Sequence, residues 1–121
     1  MTVAGHRHER IAEEIHHELD AMLAGELADP RLEVPVNVTE VRVLHGLKLV
    51  RVYVAVTGSD TEKKAAMKGL QAAAGFIRRE LLERLRLRRS PELLFVLDES
   101  EARARRIEEL LKDAGKKASD S

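Results

Sequence analysis

The stretch LKLVRVYVAVT at residues 47–57 places a valine at every second position. Alternation with a period of two is typical of a β-strand that has one buried face. We expect the four valines to lie under helices, whereas Arg51 and Tyr53 lie on the face that is open to solvent. The rest of the fold is built around this strand.

A second valine-rich strand comes just before it along the chain. Residues 34–43 also alternate, but their valines change face near Thr39, which indicates a β-bulge. His45 and Gly46 then supply the residues of a tight turn. The two strands are therefore predicted to form an antiparallel hairpin.

An amphipathic helix is predicted before the hairpin. Apolar residues recur every three or four positions over residues 7–27, with acidic residues between them. Asp29 and Pro30 end this helix, because the residue before proline is pushed out of the helical conformation and proline cannot continue the hydrogen-bond ladder.

The segment after the hairpin is predicted to be helical over residues 60–87. Ser59 and Glu62 have the spacing of a capping box, which satisfies the first free backbone N–H groups. An internal glycine costs a helix about 1 kcal/mol relative to alanine, so Gly75 indicates a kink that divides the segment into two helices, or a close backbone contact.

The last part of the chain is predicted to contain one strand and one helix. Residues 93–97 are apolar throughout, which suits a strand buried on both faces, and Asp98 to Ser100 provide a second capping signal. The final helix is expected to run to about residue 114. We predict a single domain over residues 1–114 and a disordered polar tail over residues 115–121.

The predicted order is helix, strand, strand, helix, helix, strand, helix. This order defines an α+β domain in which a three-stranded sheet is covered by helices on one face. The 121 residues are enough for one such core.

The 121 residues include no cysteine, which excludes disulfides, thiol catalysis and thiolate metal sites. No signal peptide and no apolar run of about 18 residues is present, so we expect a cytoplasmic protein without a membrane partner.

The charges are balanced overall but segregated along the chain. There are 21 basic and 21 acidic residues, yet residues 63–89 hold nine basic residues against two acidic ones. Such a concentration is typical of a phosphate-binding surface. The alternative is a solvated helix with local salt bridges to Glu80 and Glu83. The nine basic residues are Lys63, Lys64, Lys68, Arg78, Arg79, Arg84, Arg86, Arg88 and Arg89.

Catalytic and metal-binding functions have weak support. His6, His8, His16 and His17 cluster on or before the first helix, but a zinc site needs three or four ligands from more than one element. A solvated helix face explains them better. No serine lies in a nucleophile elbow and no glycine-rich nucleotide loop occurs. We therefore expect neither an enzyme nor a bound cofactor.

The scarcity of aromatic residues constrains the mode of nucleic-acid binding. Only Tyr53, Phe76 and Phe95 are aromatic, and both phenylalanines are predicted to lie in the core. A protein that reads single-stranded bases needs exposed aromatic platforms. Recognition through phosphates and shape is therefore favoured, and this suits structured RNA better than the reading of a DNA sequence.

Seven short motifs occur in one order along the chain. They are Arg10-Ile11-x-x-Glu14-Ile15-x-x-Glu18-Leu19, Asp29-Pro30-Arg31, Val36-x-Val38-Thr39-x-Val41-x-Val43, Val52-Tyr53-Val54-x-Val56, Ala73-Ala74-Gly75-Phe76-Ile77-Arg78-x-x-Leu81, Leu85-x-Leu87-Arg88-x-x-Pro91-x-Leu93-x-Phe95 and Asp98-x-Ser100. The element order is that of a type II KH domain. Over residues 7 to about 111, the motifs resemble ribosome-binding factor A of bacteria.

This resemblance implies an assembly factor that binds the free small (30S) ribosomal subunit and its 16S rRNA. It implies a role in late maturation, including processing of the 16S rRNA 5′ end, without nuclease activity. It also implies that an Ala-x-Gly kink, here Ala73-Ala74-Gly75, replaces the Gly-x-x-Gly loop of ordinary KH domains. The kink and the nine basic residues are then the predicted RNA-binding site.

A different class of function stays open at this stage. The chain could be a protein-interaction module that docks a partner through the hairpin edge and the acidic first helix, with a basic face that only improves solubility. No sign of dimer symmetry is visible in the sequence, and we expect a monomer in either case.

Overall fold

A computed structural model describes the backbone of residues 3–119 and the side chains of residues 9–116. The described residues form three α-helices and three strands. In order they are α1 (Val3–Ala21), β1 (Val36–Leu44), β2 (Leu49–Val56), α2 (Asp60–Arg84), β3 (Glu92–Leu97) and α3 (Ser100–Ser119). A π-helical turn (Met22–Glu26) and a 3-10 turn (Pro30–Leu32) connect α1 to β1.

The sheet has the strand order β1-β2-β3, with β2 in the centre. β1 and β2 are antiparallel, which confirms the hairpin, whereas β2 and β3 are parallel and are joined through α2. The register shifts between Val38 and Glu40, which confirms the bulge at Thr39. The extra residue keeps Val41 and Val43 on the core side of β1 together with Val38.

The core lies between the valine face of the sheet and two helices. Val50, Val52 and Val54 of β2 are fully buried. α1 and the turn that follows it contribute Ile15, Leu19 and Met22, and α2 contributes Leu70, Ile77 and Leu81, all of them at most 1% exposed. The predicted arrangement, with α1 and α2 on one face of the sheet, is confirmed.

The kink predicted at Gly75 is absent, since α2 runs without interruption through all 25 of its residues. The capping box of Ser59 and Glu62 that starts this helix is present as predicted. Two helices were expected because glycine is a poor helix former. Its cost of about 1 kcal/mol is smaller than the benefit of keeping Leu70 and Ile77 in register on one helix face, so packing decides the outcome.

Two predictions about burial are wrong. β3 is an edge strand, and its Leu94 is 46% exposed rather than buried on both faces. Phe76 is 39% exposed and lies outside the core, unlike Phe95. α3 also carries an apolar stripe, and this stripe lies outside the core. Its residues Ile107, Leu110 and Leu111 are 53–67% exposed.

The ends of the chain also differ from the prediction. α1 begins at Val3, four residues before the predicted start. α3 continues to Ser119, so most of the segment predicted to be a disordered tail is helical. Residues 120 and 121 lie outside the described residues. Within residues 3–119, no helix has both the length and the apolar character needed to span a membrane.

Asp98 joins the start of α3 to the bulge in β1. Its Oδ1 accepts a hydrogen bond from the Ser100 backbone N–H at 2.9 Å, which confirms the second capping signal. Its Oδ2 accepts a hydrogen bond from the Thr39 hydroxyl at 2.6 Å. These hydrogen bonds lower the pKa of Asp98 to about 2, because they favour the ionised carboxylate.

Candidate RNA interface

A row of basic residues runs along the outer face of α2. Lys64, Lys68, Gly75 and Arg79 are spaced by four, seven and four residues, which places them on one side of a helix. All four residues are exposed, and the opposite side of α2 is buried on the sheet. At a rise of 1.5 Å per residue, the row is about 22 Å long. We call these four residues the α2 stripe.

The cations of the α2 stripe are available to a ligand. The side chains of Lys64, Lys68 and Arg79 make no hydrogen bond or ion pair with any side chain among residues 9–116. Unpaired cations on a rigid helix match a polyanion, because their charge is not neutralised within the domain.

Gly75 forms a shallow gap in the middle of the α2 stripe. A Cβ atom built at this position meets only Nη1 of Arg79, at 3.9 Å. Because α2 is continuous here, no backbone N–H group is freed for a phosphate, contrary to the effect expected of a kink. What Gly75 provides instead is room for close approach of a ligand to the helix.

Arg84 belongs to the packing of the domain rather than to the α2 stripe. Its guanidinium donates hydrogen bonds to Glu18 at 3.1 Å, to Glu80 at 3.0 Å, and to Glu26. The three carboxylates raise the pKa of Arg84, and its hydrogen bond lowers the pKa of Glu26. Of the two local salt bridges considered for the basic segment, the one to Glu80 is therefore present. Arg84 links α1 to the end of α2.

Arg78 holds the loop between α2 and β3. Its Nε donates to the carbonyl oxygen of Pro91 at 2.8 Å, and its Nη2 donates to the Ser90 hydroxyl at 3.4 Å. Nη2 also lies 3.4 Å from Oε1 of Glu92. Arg78 therefore positions the residues just before β3.

The remaining predicted site residues lie in four different surroundings. Ala73 and Ala74 are half-buried against the core. Lys63 lines a small hollow of about 130 Å³ together with Asp98, Glu99 and Glu101. Arg86 lines an open groove of about 580 Å³ beside the acidic face of α1. Arg88 and Arg89 lie at the tip of the hairpin, where they line a third hollow.

The histidines of α1 do not assemble a metal site within the described residues. His16 has its Nε2 3.0 Å from the carbonyl oxygen of Val38 and 3.4 Å from Oδ2 of Asp20. Among residues 9–116, no group of three or more histidine, aspartate or glutamate side chains is arranged to hold a metal ion. The side chains of His6 and His8 lie outside the described residues.

Two contributors to this surface were not predicted from the sequence. Phe76 was assigned to the core, but it lies on the flank of the α2 stripe by helical spacing. Lys48 was assigned only to the strand segment 47–57, yet it lines a hollow with Arg88 and Arg89. No local signal connects Lys48 to residues 40 positions further along, because their proximity depends on the pairing of β2 with β3.

The element order and the mixed sheet, with a basic helix on one side, define a small domain of the KH-like type. The family to which this KH-like domain belongs follows from its sequence. The sequence model of the family "Ribosome-binding factor A" matches residues 7–111, and the chain belongs to that family.

Similar proteins agree with this assignment. Ribosome-binding factor A of Anaeromyxobacter dehalogenans strain 2CP-C is 50% identical over 105 residues, which are 87% of this chain and 76% of that protein. The crystal structure of ribosome-binding factor A from Thermus thermophilus is 27% identical, with a TM-score of 0.58 over 77% of this chain and 92% of that one.

Another similar structure is a homology model of the Thermus thermophilus ribosome-binding factor A. That model was fitted into the cryo-EM map of a complex between the 30S subunit and ribosome-binding factor A. It is 27% identical to this chain and has a TM-score of 0.53, covering 71% of this chain and 93% of that one.

Proposed function

We propose that this protein is a ribosome assembly factor that binds the free 30S subunit through 16S rRNA. It promotes late maturation of the subunit, including processing of the 16S rRNA 5′ end. It acts in the cytoplasm as a monomer, without a cofactor and without catalysing the cleavage itself. The observation that carries this proposal is the α2 stripe, whose cations have no partner among residues 9–116. Family membership and the relative fitted to a 30S subunit support it.

The α2 stripe binds RNA through side-chain contacts to phosphates. Lysine ammonium groups act as point charges, and the guanidinium of Arg79 can form two parallel hydrogen bonds to one phosphate. Each neutralised phosphate releases condensed counterions, and this release supplies affinity that depends strongly on salt. The shape of the folded rRNA selects the site, because the domain lacks a set of exposed aromatic residues for stacking on bases.

Binding promotes maturation by changing which rRNA conformation is populated. A ligand shifts a conformational equilibrium by the difference between its affinities for the two states. A rigid row of cations about 22 Å long fits only an rRNA surface whose phosphates are correctly spaced. The protein therefore stabilises that arrangement until the 5′ end has been processed.

Sedimentation with purified subunits tests the proposal. We expect the protein to co-sediment with free 30S subunits, and three phosphate contacts predict an affinity about 40-fold lower at 200 mM than at 50 mM salt.

In cells depleted of the protein, 16S rRNA with an extended 5′ end should accumulate, as measured by primer extension. Salt-independent association, or association that survives removal of the RNA, would instead support the protein-interaction module.

The replacement Gly75→Ala should separate stability from binding. We expect the free energy of unfolding to rise by about 0.5–1 kcal/mol, because alanine is the better helix former and its Cβ meets no atom closer than 3.9 Å. The added methyl group occupies the gap in the α2 stripe. If one phosphate contact is lost, affinity for the 30S subunit should fall about eightfold at 0.1 M salt.

The matched control for this variant is Gly115→Ala. Gly115 lies in α3, and a Cβ atom there meets nothing within 4 Å. The control should leave the affinity for the 30S subunit unchanged. Equal affinity of Gly75→Ala and the wild-type protein would mean that RNA does not approach α2 closely at Gly75.

A further inference from the structure

A positively charged hollow lies at the tip of the hairpin and shares no residue with the α2 stripe. It has a volume of about 290 Å³ and is lined by Gly46, Leu47, Lys48, Arg88 and Arg89. Three of these five residues are cations and none is acidic. We call this hollow the tip pocket.

The strand register explains why the three cations meet. β2 and β3 are parallel and begin side by side, with Leu49 opposite Glu92. The Glu92 backbone N–H donates to the carbonyl oxygen of Lys48 at 2.9 Å. The turn before β2 and the loop before β3 therefore lie at the same end of the sheet. Arg78 fixes that loop through its hydrogen bond to the Pro91 carbonyl oxygen.

The cations of the tip pocket form no ion pair within the described part of the domain. No hydrogen bond or ion pair joins the side chain of Lys48, Arg88 or Arg89 to any other described residue. Like charges gathered around one hollow repel each other, and an anion relieves that repulsion.

The backbone of the turn is also in an uncommon conformation. Gly46 and Leu47 have φ angles of 62° and 72°, in the left-handed region. A non-glycine residue such as Leu47 adopts this region rarely, and such outliers concentrate at functional sites.

We propose that the tip pocket binds one backbone phosphate of the 16S rRNA, at a position separate from the phosphates held by the α2 stripe. The inference rests on the proposed function, since it assigns a second contact to the same RNA partner. Two guanidinium groups can each present paired N–H donors to phosphate oxygens, and the Lys48 ammonium adds a point charge.

The two sites differ in the expected number of contacts. The α2 stripe spreads its cations along about 22 Å of helix, so each cation meets a different phosphate. The tip pocket gathers three cations around one hollow of about 290 Å³, so they share one phosphate. The number of released counterions therefore distinguishes the two sites.

The test is a triple variant, Lys48→Gln, Arg88→Gln and Arg89→Gln, assayed for binding to free 30S subunits over a range of KCl concentrations. Losing one phosphate contact should reduce the slope of log affinity against log salt by about 0.9 and lower the affinity about eightfold at 0.1 M. The matched control, Arg105→Gln, Arg106→Gln and Lys112→Gln on α3, removes the same charges and should keep the wild-type slope.

The outcomes separate this inference from the proposed function. If the wild-type protein binds the subunit and the tip variant keeps the wild-type slope and affinity, the inference is overturned while the proposed function stands. If the wild-type protein does not bind, both fall. A second variant keeps Lys48 and carries Arg88→Lys and Arg89→Lys. If this variant binds the 30S subunit more tightly than the triple glutamine variant does, the result supports a site that depends on charge. A tip variant with a lowered thermal midpoint and a normal slope would overturn it.

Discussion

Replacing Lys64, Lys68 and Arg79 together by glutamine should lower the affinity for the free 30S subunit about 500-fold at 0.1 M salt. Three phosphate contacts contribute about 2.7 to the slope of log affinity against log salt, and this contribution disappears in the variant. The loss should shrink toward 1 M salt, where counterion release no longer favours binding. Filter binding or sedimentation at several KCl concentrations measures both quantities.

The matched control is the α3 variant that changes Arg105, Arg106 and Lys112 to glutamine. It removes the same net charge from the domain, so any loss due to overall charge would affect both variants. We expect the control to bind within about twofold of the wild-type protein, because long-range attraction between exposed charges is screened beyond about 10 Å at 0.1 M salt. Equal losses in the two variants would refute a localised site on α2.

Arg78 and Arg84 are unsuitable for this test, although both were among the predicted site residues. Arg84 holds three carboxylates that come from α1, the turn after α1, and α2 itself. Arg78 holds the loop before β3. Replacing either residue would disturb packing as well as charge, so a loss of binding could not be assigned to a phosphate contact.

The local elements of this fold were predictable from the sequence. The valine alternation in β2, the bulge at Thr39 and the capping box of Ser59 depend on residues that are close in the chain. The interactions that produce such features all lie within a short segment of the chain. The helix through Gly75 was not predictable in this way, because its continuity depends on burial of α2 residues against a sheet formed by distant segments.

The pairing of charges was the part of the site that the sequence could not resolve. Counting nine basic residues against two acidic ones correctly identified the basic segment, but not which cations are free. Arg84 has acidic partners 58 and 66 residues away, on or just after α1. Lys48 joins Arg88 only through the parallel register of β2 and β3. Both of these proximities depend on the tertiary structure.

The two faces of α2 have separate roles in the folded domain. The inner face packs Leu70, Ile77 and Leu81 on the sheet, and the outer face carries the α2 stripe. Continuity of the helix connects the roles, since side chains spaced by seven residues keep one direction only while the helix is unbroken. Core packing therefore sets the spacing of the cations in the α2 stripe.

Leu70→Ala should cost about 2–5 kcal/mol of the free energy of unfolding. Leu70 is fully buried at the centre of the contact between α2 and the sheet, so truncation removes apolar burial and leaves a cavity. Urea denaturation should show a lower midpoint with an unchanged m-value. The neighbouring change Gln71→Ala is the control; this residue is exposed, and we expect a stability change within about 0.5 kcal/mol.

The same variant tests whether packing and binding are separable on α2. Below its unfolding transition, Leu70→Ala should bind the 30S subunit with nearly wild-type affinity, because its side chain lies on the face opposite the α2 stripe. The glutamine variant of the α2 stripe should show the reverse pattern, with normal stability and weak binding. Loss of affinity in folded Leu70→Ala would mean that core packing, and not only the exposed cations, determines recognition. In that case binding requires the cations of the α2 stripe to be positioned more accurately than helix geometry alone positions them.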